Sequence, residues 1–330
     1  MRPDLKKVIC SGIDDNYLWP WMVSIYSAKL HSSGAFSVKL GYIKDSLSQR
    51  NQKLIMDFCS ALEINIEIEG FDFDFKVKTS NLPVQAYIRL LWLDTLDEPF
   101  LWLDADTLLL EDWQRIFENL QDYSAGTVLF AAVDTDVIKG KLEMYPKNQA
   151  YIRGGDTYFN SGIFLGFPEN WKKEFFHQKW PEIAAKHVEL GFEHHDQDVL
   201  NYLVFEHKKI FNSYYNCLVM QDSIINQRIL HFTGQPKPWH FDATSQSYFS
   251  SIELLKNKQG KGAFGGVNWL FEYQNYWRHE RELLKSLSSD SKLKNPSLLF
   301  YKSARRQLMA RNDILKHKLL LTVGRKWTSK

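Results

Sequence analysis

The sequence predicts an α/β protein whose mostly parallel sheet is flanked by helices. Segments with strand and helix patterns alternate from the N-terminus, in the order typical of parallel sheets. An apolar run that ends in Asp-x-Asp, FLWLDADTLLLED at residues 100–112, has the form of a buried strand. Such a strand delivers carboxylates to its C-terminal edge, where open α/β sheets bind ligands. With 330 residues, the chain can hold one large α/β domain or two ordinary ones.

Strands and helices can be assigned in order through the first third of the chain. Apolar patterns predict strands at residues 7–13, 36–43 and 64–68, before the strand that begins at residue 100. Helical periodicity predicts helices at residues 18–30, 46–62 and 83–93. Pro83 suits the first turn of the third helix, which carries Arg89. The first strand, like the one at residue 100, ends in acidic residues.

The alternation is less regular after residue 112. Strands are predicted at residues 127–133, 158–167 and 229–232, and helices at 113–120, 170–190 and 194–205. Residues 136–153 are polar and show little periodicity, which predicts a loop or a small helical excursion of the kind that often covers a site. The glycine-rich stretch 260–266 is the predicted boundary between a body, residues 1–259, and a helical C-terminal extension, residues 260–330.

Charge and cysteine content restrict the classes of protein that fit. Residues 281–330 contain 13 Lys and Arg against 3 Asp and Glu, whereas residues 1–280 contain 28 against 36. This asymmetry predicts a basic tail that meets an anionic surface, either membrane or nucleic acid. The three cysteines are widely spaced and favour neither a disulfide framework nor a structural zinc site. We find neither a signal peptide nor a membrane-spanning segment, and expect a reducing compartment.

Asp104 and Asp106 are the first candidates for a functional site. Residues two apart on a strand point to the same side, so both carboxylates can converge on one hard cation. A metal ion that carries phosphate is the natural interpretation. The alternative is that both acids cap the helix predicted at residues 113–120.

The segment HFTGQPKPWH, at residues 231–240, predicts a diphosphate clamp near that cation. His231 can supply an imidazole ligand, Gly234 allows the backbone to approach a phosphate, and Lys237 offers an ammonium group held between two prolines. The alternative is a proline-rich turn with a surface lysine and a half-buried histidine.

Four other polar residues lie at positions where either a structural role or a contact with a ligand must explain them. Asp196 and Gln197 stand, together with Asp198, at a predicted helix start, where capping is the usual role of an acid. Asn160 interrupts an apolar strand and must be either a satisfied core amide or a ligand contact. Arg89 lies on an apolar helix, where a structural ion pair is the alternative to binding.

These segments, in this order, resemble glycosyltransferase family 8, which contains glycogenin and bacterial lipopolysaccharide galactosyl- and glucosyltransferases. The matching segments are DDNY at 14–17, YIRL at 87–90, FLWLDADTLL at 100–109, FNSGIFL at 159–165, DQDVLN at 196–201 and HFTGQPKPW at 231–239. The resemblance implies a GT-A fold, which is a Rossmann-like mostly parallel sheet flanked by helices, and transfer with retention of anomeric configuration. In the first predicted helix, Trp19, Pro20 and Trp21 are bulkier than the family resemblance leads us to expect, and residues from about 241 onward have no matching segment.

Carried over residue by residue, the resemblance implies the roles of individual side chains. Asp104, Asp106 and His231 would hold Mn²⁺, with Mg²⁺ as the alternative ion. Asp14, Asn16 and Tyr17 would contact the nucleoside of a UDP-sugar, and Gly234 and Lys237 its phosphates. Donor-sugar contacts would come from Arg89, Asn160, Asp196 and Gln197, with Asp104 also against the donor. Asp134 would lie near the acceptor, and either Gln197 or Asp196 would act at the reacting carbon.

The resemblance therefore implies a retaining, metal-dependent enzyme that moves a hexose, glucose or galactose, from a UDP-sugar to a glycan. A lipopolysaccharide or another lipid-linked bacterial surface saccharide is the expected acceptor. One alternative is a phosphatase of the haloacid dehalogenase type with Asp104 as nucleophile, because LDADTLL also fits the DxDxT loop of that family. Another is a protein that keeps a nucleotide-sugar pocket without turnover.

The basic tail bears on where the protein works. Residues 297–326 have the pattern of a basic amphipathic helix, which can lie on an anionic membrane at about 1 kcal/mol per nearby cation. We therefore expect a cytoplasmic protein that attaches peripherally to the cytoplasmic face of the plasma membrane. The alternative is a helix docked on the body with a solvated basic face. Nucleic acid is not an expected partner, since no recognised nucleic-acid-binding fold accompanies the charge.

Overall fold

The computed structural model describes residues 6–73, 84–122, 126–134, 158–219, 227–233, 237–240 and 268–289. The chain divides into two compact units, residues 1–231 and 232–330. Among the described residues of the first unit, the strands are β1 (Val8–Gly12), β2 (Ser37–Ile43), β3 (Asn65–Phe71), β4 (Phe100–Leu103), β5 (Thr107–Leu109), β6 (Leu129–Val133), β7 (Phe159–Gly166), β8 (Lys208–Ile210), β9 (Cys217–Leu218) and β10 (Ile229–His231). The helices described there are α1 (Leu18–Leu30), α2 (Gln49–Ala61), α3 (Ile88–Thr95), α4 (Pro168–Lys173), α5 (Phe176–Ala185) and α6 (His195–Leu203).

Seven strands form the main sheet, in the order β3-β2-β1-β4-β7-β6-β8. The pairs β3-β2, β2-β1, β1-β4 and β6-β8 are parallel, and β7 runs antiparallel to both β4 and β6. The mostly parallel sheet predicted from the alternating pattern is thereby confirmed. A second sheet of three short strands has the order β5-β10-β9.

The centre of the main sheet is apolar and buried on both faces. All residues of β4 and β7 are buried, as expected for strands covered by helices on each side. Helix α1 is also buried over most of its circumference, and its predicted bounds are confirmed. A helix that is apolar all round belongs in an interior, so α1 lies between other elements of the unit.

The Asp-x-Asp segment does not lie on a strand, and this part of the prediction is wrong. Strand β4 ends at Leu103, and the chain turns through Asp104 and Asp106 before β5 begins in the other sheet. The backbone N–H of Asp104 donates to the carbonyl of Gly162 at 2.8 Å, which is the last link to the main sheet. The two acids therefore stand in a turn that joins the sheets.

Two predicted helices differ from the structure. Residues 170–190 form α4 and α5 instead of one helix, because Phe175 has a φ of 58°, a left-handed conformation that ends α4. The helix predicted at residues 113–120 is a 3₁₀ segment, Trp113–Asp122. Both α4 and α5 are joined to α3 through Asp94, whose carboxylate accepts the indole N–H groups of Trp171 and Trp180 at 2.7 and 2.8 Å.

The second unit contains a 3₁₀ turn, Pro238–His240, and a helix α7, Asn268–Ser289. The indole N–H of Trp277 donates to the carbonyl of Pro238 at 3.0 Å, and the ring of Tyr276 contacts those of Phe232 and Trp239. The described helices include none with the length and apolarity needed to cross a membrane. The predicted loop at 136–153, the boundary at 260 and the basic segment 297–326 lie outside the described residues.

Candidate active site

Asp104, Asp106 and His231 come together at the junction of the two sheets. One ligand atom from each lies within 4.8 Å of the others. His231 ends β10 and pairs with Thr107 of β5, so the register of the small sheet sets the imidazole against the Asp-x-Asp turn. Its Nε2 is 3.3 Å from Asp106 Oδ1 and 3.7 Å from Asp104 Oδ2. The structure thus brings the predicted metal ligands together, although His231 lies more than a hundred residues after the two acids in the chain.

Strand β7 allows this approach because it has a glycine there. A Cβ on Gly162 would lie 2.0 Å from His231 Cε1 and 2.8 Å from Asp104 Oδ2. Any side chain larger than hydrogen would therefore displace the imidazole or the carboxylate. A glycine inside a strand often marks such a close approach.

Arg89 is buried between two of the predicted site acids. Its guanidinium lies 2.9 Å from Asp104 Oδ1 and 3.1 Å from Asp196 Oδ2. It also donates to the backbone carbonyl of Ser161 at 2.7 Å and stands over the ring of Trp102. Burial alone would lower the pKa of Arg89, but the neighbouring carboxylates raise it. The structure therefore contains the ion pair that was the alternative interpretation of Arg89. Through Arg89, Asp104 of the predicted metal site is joined to Asp196 at the start of α6.

The site holds more carboxylate than the arginine can balance. Burial raises the pKa of Asp104, opposed by Arg89 and reinforced by Asp106. Burial likewise raises the pKa of Asp196 to about 6, again opposed by Arg89. Buried like charges of this kind favour a cation, and two carboxylates with one imidazole are a donor set that suits Mn²⁺ or Mg²⁺. The residues present fit the predicted metal.

A second buried network links Gln197 of α6 to Asn160 and Ser161 of β7. Gln197 Oε1 accepts the backbone N–H of Ser161 at 3.0 Å and the amide of Asn160 at 3.2 Å. Gln197 Nε2 donates to the hydroxyl of Tyr158 at 3.1 Å, and Asn160 Nδ2 lies 3.4 Å from Asp134 Oδ2. The structure therefore brings together the residues predicted to surround the donor sugar, and hydrogen bonds to β7 orient the Gln197 amide.

Capping was one interpretation of the acids at residues 196–198, and Asp198 is the residue that has this role. Its carboxylate accepts the backbone N–H groups of Glu193 and His194, each at 2.8 Å, and the hydroxyl of Tyr158 at 2.7 Å. Asp196, two residues earlier, points instead to Arg89 and to Ser161 Oγ, at 3.2 Å. The two acids of one short motif thus have separate tasks.

The loop after β1 carries Asp14, Asn16 and Tyr17. Asp14 Oδ1 accepts the backbone N–H groups of Asn16 at 2.9 Å and Tyr17 at 3.1 Å, which holds the loop in a tight turn. Burial raises the pKa of Tyr17, and the negative charges of Asp106 and Asp104 raise it further. Asn16 is exposed at the rim.

The remaining predicted contacts belong to the second unit. Lys237 is buried, its ammonium donates to the carbonyl of Phe232 at 2.5 Å, and it stands 5.9 Å from the ring centre of Trp239. Gly234 lies outside the described residues. Their predicted contacts with a diphosphate stay predictions.

Sequence reasoning missed several residues that build the site. Ser161 and Gly162 lie inside a segment used for the family resemblance, and a glycine within a buried apolar strand was a usable signal. Asn216, whose Oδ1 is 3.0 Å from His231 Nδ1, stands in a segment without a distinctive pattern. Only the fold reveals that residue.

Comparisons with known proteins identify the family and the fold. A family model described as Glycosyl transferase family 8 matches residues 8–243. The lipopolysaccharide 1,2-glucosyltransferase of Escherichia coli is 26% identical over 266 residues, which cover 73% of this chain and 76% of that protein. General stress protein A of Bacillus subtilis is also 26% identical, over 73% of this chain and 90% of that protein.

Solved structures show the same fold. The galactosyltransferase LgtC, in a complex with donor and acceptor sugar analogs, superposes with a TM-score of 0.57 at 20% sequence identity. The match covers 76% of this chain and 95% of that one. At this identity the likeness concerns the fold.

Proposed function

Because this chain belongs to glycosyltransferase family 8, we propose that it moves a hexose from a UDP-sugar to a glycan, with retention of anomeric configuration and with bound Mn²⁺. Glucose and galactose are the candidate hexoses, and Mg²⁺ is the alternative ion. The convergence of Asp104, Asp106 and His231 on one point is the observation that carries the proposal. A bound cation there would neutralise charge on the departing nucleoside diphosphate.

The chain's own residues then bind and orient the substrates. Arg89, Asn160 and Gln197 present a buried polar surface beside the metal ligands, which suits the hydroxyl groups of a donor sugar. In this proposal Asp14, Asn16 and Tyr17 contact the nucleoside, Gly234 and Lys237 contact the phosphates, and Asp134 lies toward the acceptor.

Retention is best explained by attack from the side of the leaving group. A covalent step would need Asp196 as nucleophile, but its carboxylate is already bound to Arg89 at 3.1 Å and Ser161 Oγ at 3.2 Å. The amide of Gln197 is a weak nucleophile, and backbone and Tyr158 contacts hold it in place. We therefore assign Gln197 a dipolar role beneath the sugar, while a donor phosphate oxygen accepts the proton of the acceptor hydroxyl.

Two observations support the proposed acceptor and location. The named function of the E. coli relative and the basic tail both favour a lipid-linked surface saccharide. We propose that residues 297–326 attach the protein to the anionic cytoplasmic face of the plasma membrane. The family match does not favour the dehalogenase-type phosphatase.

The test is UDP release from a panel of UDP-sugars, with Mn²⁺ and with EDTA. We expect one donor to be turned over, EDTA to abolish the reaction, and Asp106→Asn to lower the rate at least about 100-fold, because the ion loses a charged ligand. Asp57→Asn, on the surface of α2, is the control and should retain full activity. Full activity of Asp106→Asn would remove the metal assignment. Phosphate release from simple phosphomonoesters, without UDP release, would revive the phosphatase.

A further inference from the structure

The His231 ring contacts a buried neighbour, Asn216, which is not one of the three predicted metal ligands. His231 Nδ1 is 3.0 Å from Asn216 Oδ1, and both side chains are almost fully buried. Asn216 directly precedes β9, which pairs with β10 so that Cys217 faces Leu230. A neutral imidazole carries one proton, so this contact decides which nitrogen is left with a lone pair.

The direction of each hydrogen bond can be traced from the backbone. The N–H of Gly162 is necessarily a donor, and it lies 3.0 Å from Asn160 Oδ1. That atom is therefore a carbonyl oxygen, and the Asn216 atom 3.1 Å from it must be the amide nitrogen. The other atom of the Asn216 amide, its oxygen, then faces His231 and can only accept a hydrogen bond.

We propose that Asn216 is a positioning residue that keeps the proton of His231 on Nδ1 and presents the lone pair of Nε2 to the cation. The proposal rests on the metal assignment in the proposed function. Nε2 is the nitrogen that faces Asp104 and Asp106, so the relay from Gly162 through Asn160 and Asn216 ends at the ligand set. A histidine ligand generally needs such a partner on its other nitrogen, and loss of the partner weakens metal binding by about 10- to 100-fold.

Two substitutions separate this role from simple packing. Asn216→Leu keeps the branching of the side chain at Cγ and removes the acceptor, so either nitrogen of His231 can carry the proton. Asn216→Asp keeps the acceptor for Nδ1 but gives up the donor to Asn160. Asn212→Ala is the matched control. Asn212 caps the start of the 3₁₀ turn Ser213–Tyr215, which Asn216 follows, by accepting the N–H of Tyr214, and it has no hydrogen bond to His231.

The first readout is the protonation of the His231 ring in protein labelled with ¹⁵N-histidine. Spectra are recorded for the metal-free protein, at a pH where the ring is neutral, and with diamagnetic Mg²⁺. We expect the wild type to carry the proton on Nδ1 in both samples. Asn216→Leu should show a mixture of tautomers, whereas Asn216→Asp and Asn212→Ala should resemble the wild type.

The second readout is Mn²⁺ affinity, from the electron paramagnetic resonance signal of free Mn²⁺. We expect Asn216→Leu to bind Mn²⁺ about 10-fold or more weakly, and Asn216→Asp to stay within about threefold of the wild type. A wild-type proton on Nε2 would overturn the proposal, as would Asn216→Leu with unchanged tautomer and affinity. A wild type that shows Nδ1–H but binds neither Mn²⁺ nor Mg²⁺ would refute the proposed metal site. The role of Asn216 in positioning a metal ligand would then be refuted as well, although the hydrogen bonds from Gly162 through Asn160 and Asn216 to His231 would stand.

Discussion

Replacing Gly162 by alanine tests the geometry of the candidate metal site most directly. The new Cβ would lie 2.0 Å from His231 Cε1, whereas carbon atoms in contact are about 3.5–4.0 Å apart. The imidazole or the strand must therefore move by about 1.5 Å or more. His231 is buried and bonded to Asn216, so the shift disrupts its hydrogen bond and its approach to Asp106.

The expected effect has two parts. Overpacking should lower the free energy of unfolding by about 1–3 kcal/mol, of which the reduced flexibility of the unfolded chain offsets about 0.4–1 kcal/mol. A displaced histidine ligand should weaken Mn²⁺ binding by about 10-fold or more. Urea denaturation measures the first quantity, and titration with Mn²⁺ followed by electron paramagnetic resonance measures the second.

Gly166→Ala, on the same strand, is the matched control. Its Cβ would meet Leu93, Phe164 and Phe100 at 3.1–3.2 Å, inside the apolar core and about 13 Å along the strand from Gly162. We expect this variant to lose some stability and to keep wild-type Mn²⁺ affinity. Unchanged Mn²⁺ binding by Gly162→Ala would refute the crowding argument. Equal losses of affinity in both variants would show that the effect comes from the strand in general.

Two further predictions concern buried charge. Arg89→Ala leaves Asp104 and Asp196 without their shared counter-ion. The free energy of unfolding, measured in urea, should therefore fall by about 3–5 kcal/mol. An unchanged midpoint of the urea denaturation curve would contradict this prediction. Burial raises the pKa of Asp94 from 3.8 to about 6, so the folded state binds this proton more tightly than the unfolded chain. Stability should therefore rise as the pH falls from about 7 toward 4, by roughly 2–3 kcal/mol from this group. Asp94→Asn should reduce that slope, measured by tryptophan fluorescence in urea at several pH values, and an undiminished slope would refute the assignment.

Much of the fold follows from local pattern. The order β1-α1-β2-α2-β3 is the predicted one, because apolar periodicity depends on residues close in sequence and reports directly which face is buried. The break at Phe175 escaped prediction because nothing in that run of residues marks a left-handed backbone. The turn at Asp104 escaped for a related reason, since an apolar run does not reveal that its two halves enter different sheets.

The sequence by itself determined which chemical groups were available: two acids after an apolar strand, a histidine before a proline-rich turn, and an arginine, an amide and an acid on other elements. Tertiary structure alone decided how they meet. Arg89 contacts Ser161 across 72 residues of chain, and Asn216 contacts His231 across 15. Such contacts depend on strand register and on the space left by Gly162. Register and close packing are properties of paired segments, so neither segment displays them alone.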